Sequence, residues 1–292
     1  MLQLQVDQLT KTYGSNLALN GFSYTFTEGV YGLLGPNGAG KSTLMNLLTD
    51  NLLPSSGVVR YNGQPINKLG KKFLKVLGYM PQQQGIYDTF TAERFLYYIA
   101  ALKGLKKKEA DVQIPHLLSL VNLQAERYKK LGNFSGGMKQ RILIAQALIG
   151  DPEVLILDEP TAGLDPKERI RIRNLISEIS FNKIVLVATH VVTDIEYIAK
   201  EVLLLKKGKL IDSGSPYRLS NALQGVVFEL QTTSDQLPEV AQHYKIGNIA
   251  KDVGHITIRI VSDEKPELYT YNEVKPTLED LYLYRFDTED LE

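Results

Sequence analysis

The stretch Gly35-Pro-Asn-Gly-Ala-Gly-Lys-Ser-Thr43 decides the fold of this 292-residue chain, because its spacing is that of a phosphate-binding loop. Glycine lets the backbone bend so tightly that successive N–H groups can point at phosphate oxygens. Lys41 adds a mobile cation for the terminal phosphates, and Ser42 adds a hydroxyl that can hold Mg²⁺. The residues predicted to form this cradle are Gly35, Pro36, Asn37, Gly38, Ala39, Gly40, Lys41, Ser42 and Thr43.

The segments around the loop have the pattern of an α/β protein. Val30–Leu34 is a short apolar strand that leads into the loop, and Ser42–Asp50 is predicted to open a helix whose positive N-terminus faces the phosphates. Further buried strands are predicted at Val154–Leu157, Ile184–Ala188 and Val202–Leu205. Because helical segments separate these strands, the sequence predicts a mostly parallel sheet with crossover helices.

The remaining segments differ in type. Leu2–Leu9 and Gly21–Phe26 alternate in polarity and are predicted to form an antiparallel strand pair. Residues 85–150 have mainly helical periodicity, with apolar residues at helical spacing in Thr91–Leu102, Pro115–Val121 and Met138–Leu148. The C-terminal part is predicted to contain strands at Val226–Gln231 and Ile256–Val261, and a short helix that begins near Pro276 and runs through Leu278–Tyr284.

Composition narrows the classes of protein to consider. The chain has no cysteine, so a disulfide framework and a thiolate metal site are both excluded. Its first residues lack the basic and apolar segments of a signal peptide. The longest apolar runs are far shorter than the roughly 20 residues that span a bilayer. We therefore expect any membrane role to depend on a partner.

Charge is unevenly distributed along a chain whose formal net charge is zero. Residues 1–225 hold 27 Lys and Arg against 19 Asp and Glu, whereas residues 226–292 hold 6 against 14. This shift predicts a domain boundary near residue 220, with a main domain at 1–220 and a small acidic domain at 221–292. The basic excess clusters in Lys71/Lys72/Lys75, Lys106–Lys108 and Lys129/Lys130, and these clusters fit either a solvated face or attraction to an anionic membrane or acidic partner. Nucleic acid is not an expected partner, because no aromatic residues alternate with these lysines.

Several polar side chains follow the predicted strands. Asp158 and Glu159 end a buried strand at the sheet edge where ligands bind, so we expect Asp158 to hold Mg²⁺ and Glu159 to orient the attacking water. His190 follows another strand and could donate to the γ-phosphate, although a single histidine there is often structural. Gln82 could coordinate Mg²⁺ through its amide, and Gln83 and Gln84 leave that assignment ambiguous.

Asn133-Phe-Ser-Gly-Gly-Met-Lys-Gln-Arg141 carries a resemblance to a known family. This stretch is one of six motifs that occur in the order found in nucleotide-binding subunits of ATP-binding-cassette (ABC) transporters. The other five are Tyr13, the phosphate loop, Gln82, the acidic strand end with Ala162-Gly-Leu-Asp165, and His190. The resemblance to that family covers nearly all of residues 1–215. The resemblance implies an α/β P-loop NTPase with a mostly parallel sheet, an antiparallel β subdomain and a helical subdomain at about 85–150, followed by a small α+β C-terminal domain.

The resemblance also implies residue roles. In the family the turn corresponding to Ser135, Gly136 and Gly137 contacts ATP held by the opposite subunit, so the active unit is a dimer that encloses two nucleotides. Asp165 is then expected at the subunit contact, and Tyr13 is expected to stack on adenine unless it is an ordinary packed tyrosine. ATP and Mg²⁺ are the implied ligands. Catalysis falls to Glu159, His190 and Lys41, and the metal ligands are expected to be Ser42, Gln82 and Asp158.

Two features suggest a subtype. Phe134 and Met138 flank Ser-Gly-Gly where the commonest family sequence has Leu and Gln, which is similar to drug, antibiotic and bacteriocin-immunity exporters. Lys275-Pro-Thr-Leu-Glu-Asp-Leu-Tyr-Leu283 resembles a segment that ends such subunits. Those exporters have a separate permease chain, so the expected partners are an integral-membrane permease and a second nucleotide-binding subunit, identical or different. The expected location is the cytoplasmic face of the cell membrane.

Other functions compete with this interpretation. A soluble ABC protein that acts on the ribosome or on DNA is the main alternative, but the chain has one cassette and no heptad run. A guanine-nucleotide switch is disfavoured because no Asn-Lys-x-Asp motif occurs. A regulatory subunit that does not hydrolyse ATP is conceivable, although every catalytic position carries a competent residue.

Overall fold

The structure is a computed structural model that describes residues 1–82, 85–252 and 255–286. Its strands are β1 Leu4–Tyr13, β2 Asn16–Phe26, β3 Gly29–Leu34, β4 Ser56–Tyr61, β5 Gln64–Pro65, β6 Leu77–Met80, β7 Val154–Asp158, β8 Ile184–Ala188, β9 Glu201–Lys206, β10 Lys209–Gly214, β11 Val227–Thr232, β12 Lys245–Asp252, β13 His255–Val261 and β14 Thr270–Glu273. Its helices are α1 Lys41–Leu48, α2 Ile66–Leu69, α3 Lys71–Val76, α4 Ala92–Leu102, α5 Lys107–Leu120, α6 Gly136–Ala147, α7 Pro166–Ile179, α8 Val192–Glu196, α9 Pro216–Asn221, α10 Leu237–His243 and α11 Leu278–Arg285.

The central sheet confirms the predicted parallel architecture. Its strand order is β10-β9-β3-β8-β7-β6, and only β10 pairs antiparallel to its neighbour. Every residue of β7 and β8 is buried, as expected for parallel strands covered on both faces. Because β8 lies between β3 and β7, the segments that follow these three parallel strands emerge side by side at one edge, at the carboxyl ends of the strands. This edge collects the phosphate loop, the acidic pair and the histidine.

A second, antiparallel sheet has the order β2-β1-β4-β5. The predicted strand pair at the start of the chain is confirmed as β1 and β2, whereas β4 and β5 were not predicted. Apolar side chains of this sheet, including Phe22 and Phe26, share one core with Leu44 and Met45 of α1. The helix that follows the phosphate loop is therefore held between the two sheets.

The helical region between β6 and β7 consists of α4, α5 and α6. Thr91 begins α4, because its side chain accepts a hydrogen bond from the backbone N–H of Arg94. Buried Phe95, Leu96 and Ile142 belong to the core that joins these helices to one face of the central sheet. Of the helices in the described ranges, none is long and apolar enough to cross a bilayer.

The C-terminal part has a sheet of its own, with order β12-β13-β11-β14. β11, β13 and the closing helix α11 match the predicted elements, whereas β12, β14 and α10 were not predicted. Arg259 of β13 donates to both carboxylate oxygens of Asp280 on α11, at 2.8 and 2.7 Å. α11 in turn packs against α8 and α9 of the main part, so it joins the small sheet to the cassette. The proposed boundary near residue 220 falls at the end of α9.

Candidate functional site

The phosphate loop has a backbone shape that requires glycine. Gly38 and Gly40 have φ angles of 77° and 104°, in the left-handed region that other residues rarely adopt. A Cβ atom at Gly40 would also lie 2.6 Å from the carbonyl oxygen of Ala18. Gly40 immediately precedes α1, so the loop opens onto the positive end of that helix.

Lys41 is folded back onto the loop that precedes it. Its Nζ donates to the carbonyl oxygens of Gly35 and Pro36 at 2.5 and 3.0 Å. Burial lowers the pKa of Lys41, and the nearby charges of Glu159 and Asp158 oppose that change. The ammonium therefore lies in the loop, close to both carboxylates, where a nucleotide's terminal phosphates can become additional acceptors.

One cleft of about 440 Å³ gathers most of the predicted residues. It is lined by Tyr13, Asn16, Leu17, Ala18, Asn37, Gly38, Ala39, Gly40, Lys41, Ser42, Thr43, Gln82, Asp158, Glu159 and Lys207. Tyr13 is 47% exposed, which leaves its ring accessible at this cleft. Gln82 lies in the cleft as predicted, and its competitors Gln83 and Gln84 fall outside the described residues.

Lys207, which the sequence analysis missed, reaches the cleft from the turn between β9 and β10. Its neighbour Gly208 donates its N–H to the carbonyl oxygen of Ala39 at 3.0 Å and accepts from the N–H of Asn20 at 2.8 Å. The turn thus braces the phosphate loop against β2. Lys-Gly between two strands indicates a turn, but nothing local in the sequence shows that it touches a loop about 170 residues away.

The acidic pair lies at the end of β7, as predicted. Asp158 is 7% exposed, and burial raises its pKa to about 6, with the charge of Glu159 adding to the effect and that of Lys41 opposing it. Glu159 has a φ of 53°, so its backbone is left-handed, and its N–H donates to the carbonyl oxygen of Ala188 at 2.8 Å. The bend at Glu159 separates the directions of the two carboxylates and allows them different tasks.

The Glu159 carboxylate is hydrogen-bonded to the two residues that follow β8. Its Oε1 accepts from the backbone N–H of His190 at 3.0 Å and lies 2.9 Å from Nδ1 of the same residue. Since Oε1 is an acceptor, the ring places its proton on Nδ1. The other oxygen, Oε2, accepts from the hydroxyl of Thr189 at 3.2 Å. The structure therefore brings His190 to Glu159, and it adds Thr189, which the sequence analysis did not single out.

The signature residues are not brought to the phosphate cleft. Ser135 accepts a hydrogen bond from the N–H of Met138 at 3.3 Å and so begins α6, with Gly136 and Gly137 in its first turn. Gly136 lines a neighbouring cleft with Gln82 and residues 162–164. Within the described residues of one chain, Ser135, Gly136 and Gly137 are not among the groups that line the phosphate cleft.

Asp165 lies beside the signature turn rather than in the phosphate cleft. Its Oδ1 accepts from the N–H of Glu168 at 3.0 Å, and Asp165 thereby begins α7. Glu168 packs closely against the signature turn, since a Cβ at Gly137 would lie 2.8 Å from its Oε2. Asp165 therefore has a structural role within the chain, whatever it contacts in an assembly.

The donor set suits Mg²⁺. The hydroxyl of Ser42, the amide of Gln82 and the carboxylate of Asp158 line the same cleft, and all three offer oxygen ligands. Mg²⁺ is commonly held by one or two carboxylates together with substrate phosphates, rather than by a cage of protein ligands. The described residues contain no group of three or more His, Cys, Asp or Glu side chains that could hold a metal ion alone. The residues present therefore fit a metal that arrives with a nucleotide.

Comparison with known proteins links the chain to one family. A family model described as "ABC transporter" matches residues 19–162. The ABC transporter ATP-binding protein YxlF of Bacillus subtilis is 36% identical over 78% of this chain and 76% of its own length. A Nod factor export ATP-binding protein I of Burkholderia lata is 33% identical over 88% of this chain and 85% of its own length.

Solved structures agree with these relatives. CbiO1 of Clostridium perfringens, described as part of the ABC transporter complex CbiONQ, has a TM-score of 0.68 at 30% identity and covers 74% of this chain and 89% of that one. A dimeric structure of the bacterial ABC transporter cassette MJ0796 has a TM-score of 0.65 at 25% identity over 73% of this chain and 98% of that one.

Proposed function

The chain belongs to the ABC transporter family as an ATP-binding protein with ATPase activity, and from that membership we propose that it dimerises on ATP and powers a separate membrane permease, in the direction of export. The observation that carries the proposal is the division of the site. One cleft holds Lys41, Asp158 and Glu159, while the Ser135 turn lies outside it. The site of one chain is therefore equipped for phosphate chemistry but lacks the signature contacts.

We propose the following roles within the cleft. Tyr13 stacks on the adenine ring, and the loop N–H groups with Lys41 bind the phosphates. Bound Mg²⁺, held by Ser42, Gln82 and Asp158, supplies charge neutralisation at the phosphate oxygens. Asp158 must be ionised to hold the metal, and the positive charge of Lys41 favours the ionised carboxylate because it lowers the pKa of Asp158.

Hydrolysis is assigned to Glu159. Its carboxylate accepts a proton from a water molecule whose oxygen attacks the γ-phosphorus, while the bond from that phosphorus to the bridging oxygen breaks and ADP leaves. During this transfer His190 stabilises the γ-phosphate. In the present structure the ring of His190 donates to Glu159 instead, and its side chain is 65% exposed, so solvent-facing space is open for the ring to turn. A turn of that ring toward the phosphate brings His190 to the γ-phosphate.

The second half of the site comes from a second subunit. Helix α6 begins at Ser135, Gly136 and Gly137, and the backbone N–H groups of its first turn can bind an anion. These groups do not face the phosphate cleft of their own chain. Placed against the γ-phosphate of another subunit, they hold a head-to-tail dimer together, with Asp165 at the contact. ATP then stabilises the dimer, and hydrolysis removes that stabilisation. The dimeric structure reported for the MJ0796 cassette supports the pairing of two cassettes.

The dimer can be tested by mass. Glu159→Gln protein, which is expected to bind ATP without turning it over, should elute with Mg²⁺ and ATP at about twice the 32.7 kDa of one chain, as measured by light scattering. With ADP it should elute as one chain. Adding Ser135→Arg to the Glu159→Gln protein places a bulky cation at the signature turn and should abolish the dimer. A mass of one chain at saturating ATP would overturn pairing between two copies of this chain.

The permease is expected to dock beside Gln82. An aromatic patch formed by Tyr87, Phe90 and Tyr98 begins five residues further along, with Tyr87 48% and Tyr98 38% exposed. Exposed aromatic side chains in contact are typical of protein interfaces. Since Gln82 lines the nucleotide cleft as well as the neighbouring cleft, movement at this junction can pass from ATP to a partner.

Relatives support the transport setting. CbiO1 is named as part of a transporter complex, and the relative from Burkholderia lata is named for export of Nod factor. We propose that this chain likewise works in an exporter, held at the cytoplasmic face of the membrane through its permease.

A further inference from the structure

The hydroxyl of Thr189 is placed where it can control the Glu159 carboxylate. Thr189 is fully buried, with no exposed surface, directly after β8. Its Oγ1 accepts the N–H of Val191 at 3.0 Å and lies 3.2 Å from Oε2 of Glu159. A hydroxyl has one proton, and Oε2 has none to give, so that proton points at the carboxylate. The direction of the hydrogen bond is thus fixed by the Val191 contact and by the charge of Glu159.

The two carboxylate oxygens of Glu159 are held by unequal partners. Oε2 is held by the buried hydroxyl of Thr189, whereas Oε1 is held by the backbone and the ring of His190. The His190 side chain is 65% exposed and can turn away into solvent or toward a ligand. Thr189 has no such freedom, since its hydroxyl is fixed on both sides. When the ring moves, Oε2 therefore keeps its hydroxyl partner, while Oε1 keeps the backbone N–H of His190 and gains room for a second partner.

The backbone links these residues into one rigid unit. Asp158 and Ala188 are paired across β7 and β8, and the next residue, Glu159, donates its N–H to the carbonyl oxygen of Ala188 at 2.8 Å. Glu159 and Thr189 therefore leave the sheet together. Since Glu159 has a left-handed backbone, its side chain starts in a direction that the strand alone does not dictate. The carboxylate is held in place by the hydroxyl of Thr189 at Oε2 and by the backbone N–H of His190 at Oε1.

We infer that Thr189 is a positioning residue for hydrolysis: its hydroxyl anchors Oε2 of Glu159 so that Oε1, once the His190 ring turns away, faces the attacking water. This inference rests on the proposed role of Glu159 in orienting that water. Thr189 itself touches neither water nor phosphate in this mechanism. It acts through Glu159, by holding the carboxylate at the correct angle while the nucleotide changes the partners of the other oxygen.

Two substitutions separate the hydroxyl from the shape of the side chain. Thr189→Val keeps the branched shape and removes the hydroxyl, and Thr189→Ser keeps the hydroxyl and removes the methyl. In steady-state ATP hydrolysis by the full chain with Mg²⁺, Thr189→Val should lower kcat about tenfold, the loss of one hydrogen bond to a charged group. KM for ATP should change by less than about twofold, since no nucleotide contact is lost. Thr189→Ser should retain most of the kcat.

A structural role predicts a different pattern. If packing alone matters, Ser should be the more damaging change, and Val should be close to the native protein. Equal kcat for Thr189→Val and the native chain would overturn the inference, and so would equal losses for Val and Ser. If the Thr189→Val protein does not fold, Thr189→Ala is a second variant that lacks the hydroxyl. The kcat of Thr189→Ala is expected to equal that of Thr189→Val. Thermal unfolding of each protein identifies losses caused by instability.

The inference and the proposed function can fail separately. In a Glu159→Gln background, Thr189→Val should cause no further loss of turnover, because the residue acts through the carboxylate that is already gone. If Glu159→Gln loses turnover and Thr189→Val does not, the positioning role fails and the function stands. If Glu159→Gln retains turnover, the role assigned to Glu159 fails and the inference fails with it.

Discussion

Replacing Glu159 with Gln is expected to lower ATP turnover at least about 100-fold, because the amide cannot take a proton from the attacking water. Binding of ATP should remain, since Glu159 is assigned to the water and not to the phosphates. The substitution keeps the size of the side chain, and the amide oxygen can still accept from Thr189 or His190. Release of phosphate under multiple-turnover conditions, compared with equilibrium binding of ATP to the same protein, checks both expectations.

Glu153→Gln is the matched control for this experiment. Glu153 precedes the opposite end of β7, where it accepts a hydrogen bond from the hydroxyl of Tyr61 at 2.5 Å, far from the phosphate edge of the sheet. The same change of acid to amide there should leave turnover within about twofold of the native chain, as for a surface substitution away from the site. Near-native turnover by Glu159→Gln would remove the catalytic assignment.

Replacing Lys41 with Ala is expected to weaken ATP binding by about 100-fold, because a cation that meets the phosphates through charge-assisted hydrogen bonds is removed. Lys41 also donates to the carbonyl oxygens of Gly35 and Pro36, so the empty loop loses two internal contacts. Titration of the nucleotide-free protein with ATP by calorimetry measures the affinity. Turnover should fall in parallel.

Lys200→Ala is a suitable comparison for Lys41→Ala. Lys200 also donates to a backbone carbonyl oxygen, that of Glu28, but it lies just before β9, at the sheet edge away from the phosphate loop. Its removal should leave the affinity for ATP unchanged within about twofold, whereas micromolar affinity retained by Lys41→Ala would contradict the placement of the phosphate cradle.

The parts of the fold that depend on local pattern could be predicted from the sequence. The strand before the phosphate loop, the acidic strand end and the histidine after β8 are each visible as short runs with distinct composition, and the structure places Asp158 and Glu159 beside Lys41. The start of α7 at Asp165-Pro166 was not predicted, although an acidic cap followed by proline is a common local signal of a helix start.

The rest depends on contacts between distant segments. The brace of Gly208 on Ala39 and the hydrogen bond of Thr189 with Glu159 join residues that are far apart in the sequence, and neither residue type signals its partner. The edge strands β12 and β14 were also missed by the sequence analysis. β14 spans only Thr270–Glu273 and is largely exposed, so it lacks the apolar run that identified the buried strands.

The division of labour between subunits could be predicted only through the family resemblance. Nothing in the local sequence around Ser135 indicates that its turn serves another chain. The structure adds that this turn is absent from the lining of the phosphate cleft of its own chain, among the described residues.

The measurement that tests the central claim most directly is purification of the tagged chain from detergent-solubilised membranes, with mass identification and stoichiometry of whatever accompanies it. The account predicts an integral-membrane protein with several spans in stoichiometric amount. Tyr87→Ser, in the aromatic patch, should reduce its recovery, whereas Tyr217→Ser, which removes a still more exposed tyrosine on α9, should not. Recovery of ribosomal or nucleic-acid components instead, or of the chain alone in several detergents, would contradict the account and favour a soluble ATPase.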